Sequence, residues 1–109
     1  MGRHKAAIEV FEECLTLEPS DWEVYFFIGL CYKFMRLYDE AIENLKKSKE
    51  LQRHDQTFLE IARIHQLQQD YQSAVQVCLE GIESSPENTE LLTLVGLLYV
   101  RMGENDFAF

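Results

Sequence analysis

Apolar positions recur along this chain at the three- and four-residue spacing that places them on one face of a helix, in blocks divided by short polar breaks. Ala7, Ile8, Phe11 and Leu15, flanked by Ala6 and Cys14, form such a stripe and predict a helix over residues 3–17, which Pro19 stops. Asp21 can accept a hydrogen bond from the free amides of a first turn and is the predicted N-cap of a helix over 22–35. Asp39 and Glu40, acidic residues suited to the positive end of a helix dipole, open a third helix to about Leu51. Asp55 caps a fourth, to about Leu67, and Asp70 opens a fifth, to about Ser84. Pro86-Glu87-Asn88 interrupts the pattern before a sixth helix from Thr89 to about Met102. Gly103 then reads as a turn, after which Asp106-Phe107-Ala108-Phe109 begins a seventh helix. The chain carries no proline- or glycine-rich linker and no low-complexity tract, so the pattern predicts an all-α fold of about seven helices in one body.

The helices are copies of one unit. Gly29, Tyr32 and Ala41 recur as Ala62, His65 and Ala74, and again as Gly96, Tyr99 and Ala108, at steps of 33 and then 34 residues; one more step back from Ala41 lands on Ala7. A period in this range predicts helical hairpins stacked into a solenoid, where no unit buries its apolar face alone and each contacts only its neighbours. The repeats read as a partial unit over 1–21, two whole units over 22–54 and 55–88, and a partial unit over 89–109.

This geometry accounts for the residue types. The first helix of a hairpin must approach the second closely, so small residues sit at the crossing: Gly29, Ala62 and Gly96 in first helices, Ala7, Ala41, Ala74 and Ala108 in second helices. Larger side chains fill the space around them: Tyr25, Ile28 and Tyr32 in one unit, Phe58, Ile61 and His65 in the next, Leu92, Val95 and Tyr99 in the last. Truncating a buried aromatic of this set is expected to cost about 3–5 kcal/mol, and a bulky residue at Gly29 or Ala41 to overpack the crossing by roughly 1–3 kcal/mol.

These landmarks resemble the tetratricopeptide repeat, whose pattern asks for a large residue, leucine-glycine, tyrosine, alanine and a closing proline. Tyr25, Ile28-Gly29, Tyr32 and Ala41 match it in one repeat, and Leu92, Val95-Gly96, Tyr99 and Ala108 in another. Gly2 and Gly103 fit the inter-helix glycine, Tyr38 and Tyr71 the tyrosine after it, and Pro19 and Pro86 the closing proline. Ala62 for glycine, His65 for tyrosine and Arg53 for proline are the departures. The resemblance covers the whole chain and implies a right-handed superhelix of helical hairpins. A narrower resemblance, to the Bardet-Biedl syndrome 4 family of tetratricopeptide proteins, rests on the strings HKAAIEV, RHDQTF and SPENTELLTLVGLLY, which include surface and turn residues that packing does not dictate. It implies a non-enzymatic adaptor of the BBSome, the coat that traffics ciliary membrane proteins, with BBSome components as partners. It also implies a cytoplasmic location at the cilium, basal body or centriolar satellites. A chaperone-type adaptor for peptide tails, and the repeat region of a larger enzyme, are the alternatives.

Charge and chemistry narrow the picture. Ten basic residues against 19 acidic ones give a net charge of −9, which repels phosphate backbones and anionic membranes, so nucleic acid is not an expected partner. No stretch approaches the roughly 20 apolar residues of a membrane span, and Met1-Gly2-Arg3-His4-Lys5 leads into an amphipathic helix rather than a signal-peptide core. Cys14, Cys31 and Cys78 are odd in number and lack C-x-x-C pairing, so reduced, buried thiols are expected, in the cytosol or nucleus. His4, His54 and His65 include no pair at i, i+4, and no metal, cofactor or catalytic residue is expected. His65 is expected to pack at least half-buried, and His54 to be solvated in a turn. The pairs Glu12-Glu13, Asp39-Glu40 and Glu87/Glu90 are expected on exposed faces or first turns.

Function is then expected on the concave wall, which first helices line at positions the crossing leaves free. Phe26, Phe27, Leu30, Lys33 and Phe34 are assigned to that wall from one repeat, Leu59, Arg63 and Gln66 from the next, and Leu94, Leu97 and Arg101 from the last. Glu23, Gln56, Glu60, Glu90, Thr93 and Val100 accompany them. Phe26 and Leu30 stand where chaperone adaptors carry the lysine and asparagine that grip a terminal carboxylate, which disfavours such a clamp. Apolar anchors such as Phe26, Leu30, Leu94 and Leu97 suit a hydrophobic partner segment, with Arg63 and Lys33 orienting an acidic one. Leu91, Leu92, Val95 and Leu98 are expected to lack part of their cover, which predicts self-association through the open ends of the solenoid.

Overall fold

The computed structural model describes residues 2–106, with side chains to residue 103. Six α-helices follow one another: α1 (Arg3–Leu17), α2 (Trp22–Phe34), α3 (Tyr38–Leu51), α4 (Asp55–Leu67), α5 (Tyr71–Ser84) and α6 (Thr89–Asp106). Capping explains several starts. The Asp21 carboxylate accepts from the Glu23 amide at 3.1 Å, Asp70 from Ser73 at 3.3 Å and Asn88 from Leu91 at 3.0 Å, each satisfying a first-turn donor. Asp70 is fully exposed, and its carboxyl is held below the usual range first by the hydrogen bonds of Ser73 and further by the charge of His65. Asp55, expected as a cap, is instead the first residue of α4.

The hairpin turns after α2 and α4 share one construction. Arg36 N–H donates to the Lys33 carbonyl and Leu37 N–H to the Tyr32 carbonyl; Gln69 N–H donates to Gln66 and Asp70 N–H to His65. These are paired Schellman bonds, which need a left-handed residue at the turn. Arg36 and Gln69 supply it, with φ of 64° and 63°. Repeat spacing puts these two in register with Gly2 and Gly103, the glycines assigned to the inter-helix position. Gly103 corrects that reading: it lies inside α6, which runs on to Asp106 rather than turning. The remainder of the expected seventh helix, Phe107 to Phe109, and the landmark Ala108 lie outside the described residues.

The chain forms two compact units, residues 1–57 and 58–109. In the first, Ile8 of α1 packs with Val24 and Ile28 of α2, and Phe11, Leu15, Cys31, Tyr32 and Met35 close around them. The crossing of α2 and α3 is tight: a Cβ on Gly29 would lie 2.7 Å from the Leu45 side chain and 3.1 Å from the Ala41 carbonyl oxygen. Only glycine permits that approach. The buried Ser48 hydroxyl donates to the Trp22 carbonyl at 2.8 Å, tying the end of α3 to the start of α2.

In the second unit Phe58, Leu59 and Ala62 of α4, Ala74, Val75 and Cys78 of α5, and Leu91, Leu94, Val95 and Leu98 of α6 make one core. Gly81 sits where the three helices meet, since a Cβ there would lie 3.0 Å from Leu91 and 3.1 Å from Phe58. Each fully buried side chain of this size contributes about 1.5–3 kcal/mol through burial. The expected loss of cover on α6 is corrected in its detail. Leu91 and Leu98 are fully buried and Val95 nearly so, because they face α4 and α5, whereas Leu92 is 44% and Tyr99 52% exposed. Nothing lies within 4 Å of a Cβ built on Gly96, so among the described residues this crossing position has no facing helix. Cys14 is a second correction: it is exposed, since the α1 core stripe runs through Ile8, Phe11 and Leu15 and leaves position 14 on its flank. Cys31 is half-buried and Cys78 buried.

Candidate partner-binding surface

Aromatic rings pair where α1 meets α2 in the first unit. Phe27 stacks on Phe11 at 5.7 Å between centroids and Phe34 on His4 at 5.5 Å, while Phe26 meets Phe27 edge-on at 5.8 Å. Positions 27 and 34, and positions 4 and 11, are each two turns apart, so antiparallel α1 and α2 bring them together pairwise. Such stacks are worth about 0.5–1.5 kcal/mol each. Phe34 nevertheless remains 63% and Phe27 43% exposed, and Lys33 Nζ lies 5.2 Å above the Phe34 ring. Phe26, Leu30 and Lys33 are half-buried. A separate hollow of about 330 Å³ gathers Tyr25, Ile28 and Tyr32 with Glu12, Glu40 and Glu43, and Lys47 Nζ lies 5.6 Å from the Tyr25 ring. His54, expected to be merely solvated, packs its ring against Trp22 at 5.0 Å.

In the second unit α4 and α6 enclose an open depression of about 400 Å³ lined by Arg63, Gln66, Thr89, Glu90, Thr93, Leu94 and Leu97. Repeat spacing had assigned all of these but Thr89 to the concave wall; Thr89 enters because it opens α6 beside Glu90. Leu97 is 53% exposed and offers its side chain to solvent. Leu59 departs from the expectation, being completely buried in the core of this unit, while Leu94 lines the depression with most of its side chain packed into that core. The helical stripe that faces α5 is wider than the crossing residues alone, and it takes them in. Arg101 is exposed.

Arg63 is held at the rim between two carboxylates, 3.5 Å from Glu60 and 3.8 Å from Glu90. The longer pair, to Glu90, is exposed on both sides and contributes about 0–1 kcal/mol, so it orients the guanidinium more than it stabilises the fold. Burial pushes the Cys31 thiol up and the Cys78 thiol up to about 11, which keeps both protonated and poorly nucleophilic at neutral pH. No cluster of metal-ligating side chains occurs among the described residues, and none of their helices is long and apolar enough to cross a membrane.

Similarity to known proteins agrees with this architecture. The chain is 41% identical over 109 residues to BBSome complex member BBS4 of Bos taurus, 41% over 101 residues to that of Mus musculus and 38% over 93 residues to that of Xenopus tropicalis. It covers 85–100% of its own length in these matches but only 18–21% of theirs. Among solved structures, two crystal structures of MamA superpose with TM-scores of 0.80 and 0.82 at 24% and 19% identity, over 96% of this chain and 62% and 58% of theirs. The fold is therefore the all-α helical-hairpin solenoid. The tetratricopeptide repeat model matches residues 1–21, 23–55 and 56–88, most of the sequence, and the chain belongs to the tetratricopeptide repeat family.

Proposed function

We propose that this chain is a protein-interaction segment of a BBSome subunit, serving the traffic of ciliary membrane proteins from the cilium, basal body or centriolar satellites. The observation that carries the proposal is the 41% identity to BBSome complex member BBS4 of Bos taurus across all 109 residues. The repeat architecture supports the coarser part, a non-catalytic scaffold that binds protein. Recognition falls to side chains on first helices that the cores leave accessible: Phe26, Phe27, Leu30, Lys33 and Phe34 on α2, and Arg63, Gln66, Leu97 and Arg101 on α4 and α6.

Leu97→Glu tests the proposal, because an exposed side chain can take a charge without disturbing the core. Tagged chain expressed in ciliated cells is expected to co-purify with BBSome subunits, and the variant to recover several-fold less while keeping its helical circular dichroism. Equal recovery by the variant would remove Leu97 from the binding surface; recovery of no BBSome subunit by the parent chain would overturn the assembly itself.

A further inference from the structure

We propose that the outward face of α6 pairs antiparallel with the same face of a second copy of this chain. The proposal is independent of the assembly named above and gives the expected self-association a definite surface. Its ground is a row of residues left open along the helix. Leu92 is 44%, Tyr99 52% and Val100 57% exposed, although all three are large and apolar. A Cβ built on Gly96 or on Gly103 would meet nothing within 4 Å, whereas at Gly29, the same repeat position as Gly96, it would meet Leu45 at 2.7 Å. At about 100° per residue, Leu92, Gly96, Tyr99 and Gly103 fall within about 60° of one another around the helix. The other helices have 13–15 residues, but α6 has 18 and runs through Gly103, the position at which Arg36 and Gln69 turn the chain. That extension keeps the row straight for about three turns.

Charge and length select the occupant. Each copy carries a net −9, so two copies repel unless they meet where charge is absent. The row itself is uncharged, as are Thr93 and Val100 beside it, while Glu90 and Arg101 lie about 120–140° round the helix from Gly96. Six residues follow Gly103 in this sequence, about 9 Å of helix against the roughly 16 Å from Leu92 to Gly103, too few to fold back over the row.

The order of sizes sets the direction. Leu92, Gly96, Tyr99 and Gly103 alternate a large side chain with none, at the four- and three-residue steps of a helix-pairing seam. A two-fold axis between residues 97 and 98 carries 92 onto 103 and 96 onto 99. Each large side chain then meets a glycine of the other copy: Leu92 lies against Gly103, and Tyr99 against Gly96. Parallel pairing in register would set Tyr99 on Tyr99 and leave a void where Gly96 faces Gly96. Thr93 of one copy comes beside Val100 of the other, so the flank stays free of like charges. A contact of this kind uses one patch twice and closes at two copies.

Sedimentation of the full chain over a wide concentration range is expected to show a monomer–dimer equilibrium with a micromolar dissociation constant. Gly96→Leu fills the hollow that receives Tyr99, and Tyr99→Glu brings a charge into the seam; each is expected to weaken dimerisation by about tenfold or more. Both positions are exposed in a single copy, so the helical circular dichroism of either variant should match the parent. Direction is read from disulfide formation when a Leu92→Cys chain is mixed with a Gly103→Cys chain, both with Cys14→Ser. The mixed disulfide is expected to outnumber either like pair. A strict monomer would leave the row to a helix of some other chain and overturn the proposal. A dimer that neither variant weakens, or disulfides formed chiefly between like chains, would overturn it as well.

Discussion

Replacing Arg36 and Gln69 together by glycine is expected to stabilise this chain, although glycine ordinarily weakens a folded protein. Both residues hold left-handed backbone, φ 64° and 63°. A side chain with a Cβ costs about 1–2 kcal/mol in that region. Against the relief stands the extra freedom of glycine in the unfolded chain, about 0.5–1 kcal/mol. The difference is about 0.5–1 kcal/mol per site in favour of glycine. No hydrogen bond is lost, because the turns close through backbone groups of residues 32–37 and 65–70. Both side chains are exposed, and the sites belong to different units, so the effects should add to about 1–2 kcal/mol. For a chain of this size that raises the melting temperature by roughly 5–10 °C. Urea and thermal unfolding followed by circular dichroism would measure it. Gln76→Gly on the exposed face of α5 serves as the control and should lose about 1 kcal/mol. A double variant no more stable than the parent would refute the argument that these turns hold strained residues.

Two further outcomes follow from the packing. Gly29→Ala should destabilise by about 1–3 kcal/mol, since its Cβ would meet Leu45 at 2.7 Å, whereas Gly96→Ala, with nothing within 4 Å, should stabilise by about 0.5–1 kcal/mol; urea melts of the two variants would show opposite shifts. Cys78 sets a pH dependence with a definite sign. Its folded thiol is pushed from 9.0 up to about 11, so the unfolded chain loses its proton first. Stability should be intact below about pH 9 and fall by about 2–3 kcal/mol on rising to about pH 11, a slope that Cys78→Ala removes in urea melts at a series of pH values. In native protein iodoacetamide should modify exposed Cys14 well before Cys78, which becomes reactive only on unfolding.

The elements legible in the sequence are those whose signals are local. Helical stripes and the caps Asp21 and Asp70 placed the starts of α1, α2, α4 and α5 within a residue, and the ends of α1 and α3 at Leu17 and Leu51. Gly103 was misread because a glycine carries no information about its own φ: what ends a hairpin helix is a left-handed residue, and in the middle repeats that residue is arginine or glutamine. Repeat register, which aligns residues 2, 36, 69 and 103, could have found those two. The candidate site was legible as a wall but not in depth. Spacing tells which face of α4 carries Leu59 and Arg63, yet only three-dimensional packing shows that Leu59 is covered by its neighbours while Arg63 reaches Glu60 and Glu90. The approach of α4 and α6 at Gly81 was missed because no repeat landmark falls on that position.

The core of the first unit has a kinetic consequence. Ile8, Val24 and Ile28, with Phe11, Leu15, Cys31, Tyr32 and Met35, all belong to the first 35 residues. Contacts between helices adjacent in the chain close short loops and fold quickly, and chains emerging from the ribosome fold N-terminal units first. The apolar centre of α1 and α2 can therefore assemble before α4 emerges from the ribosome, so nascent chains should bury Phe11 and Ile28 early.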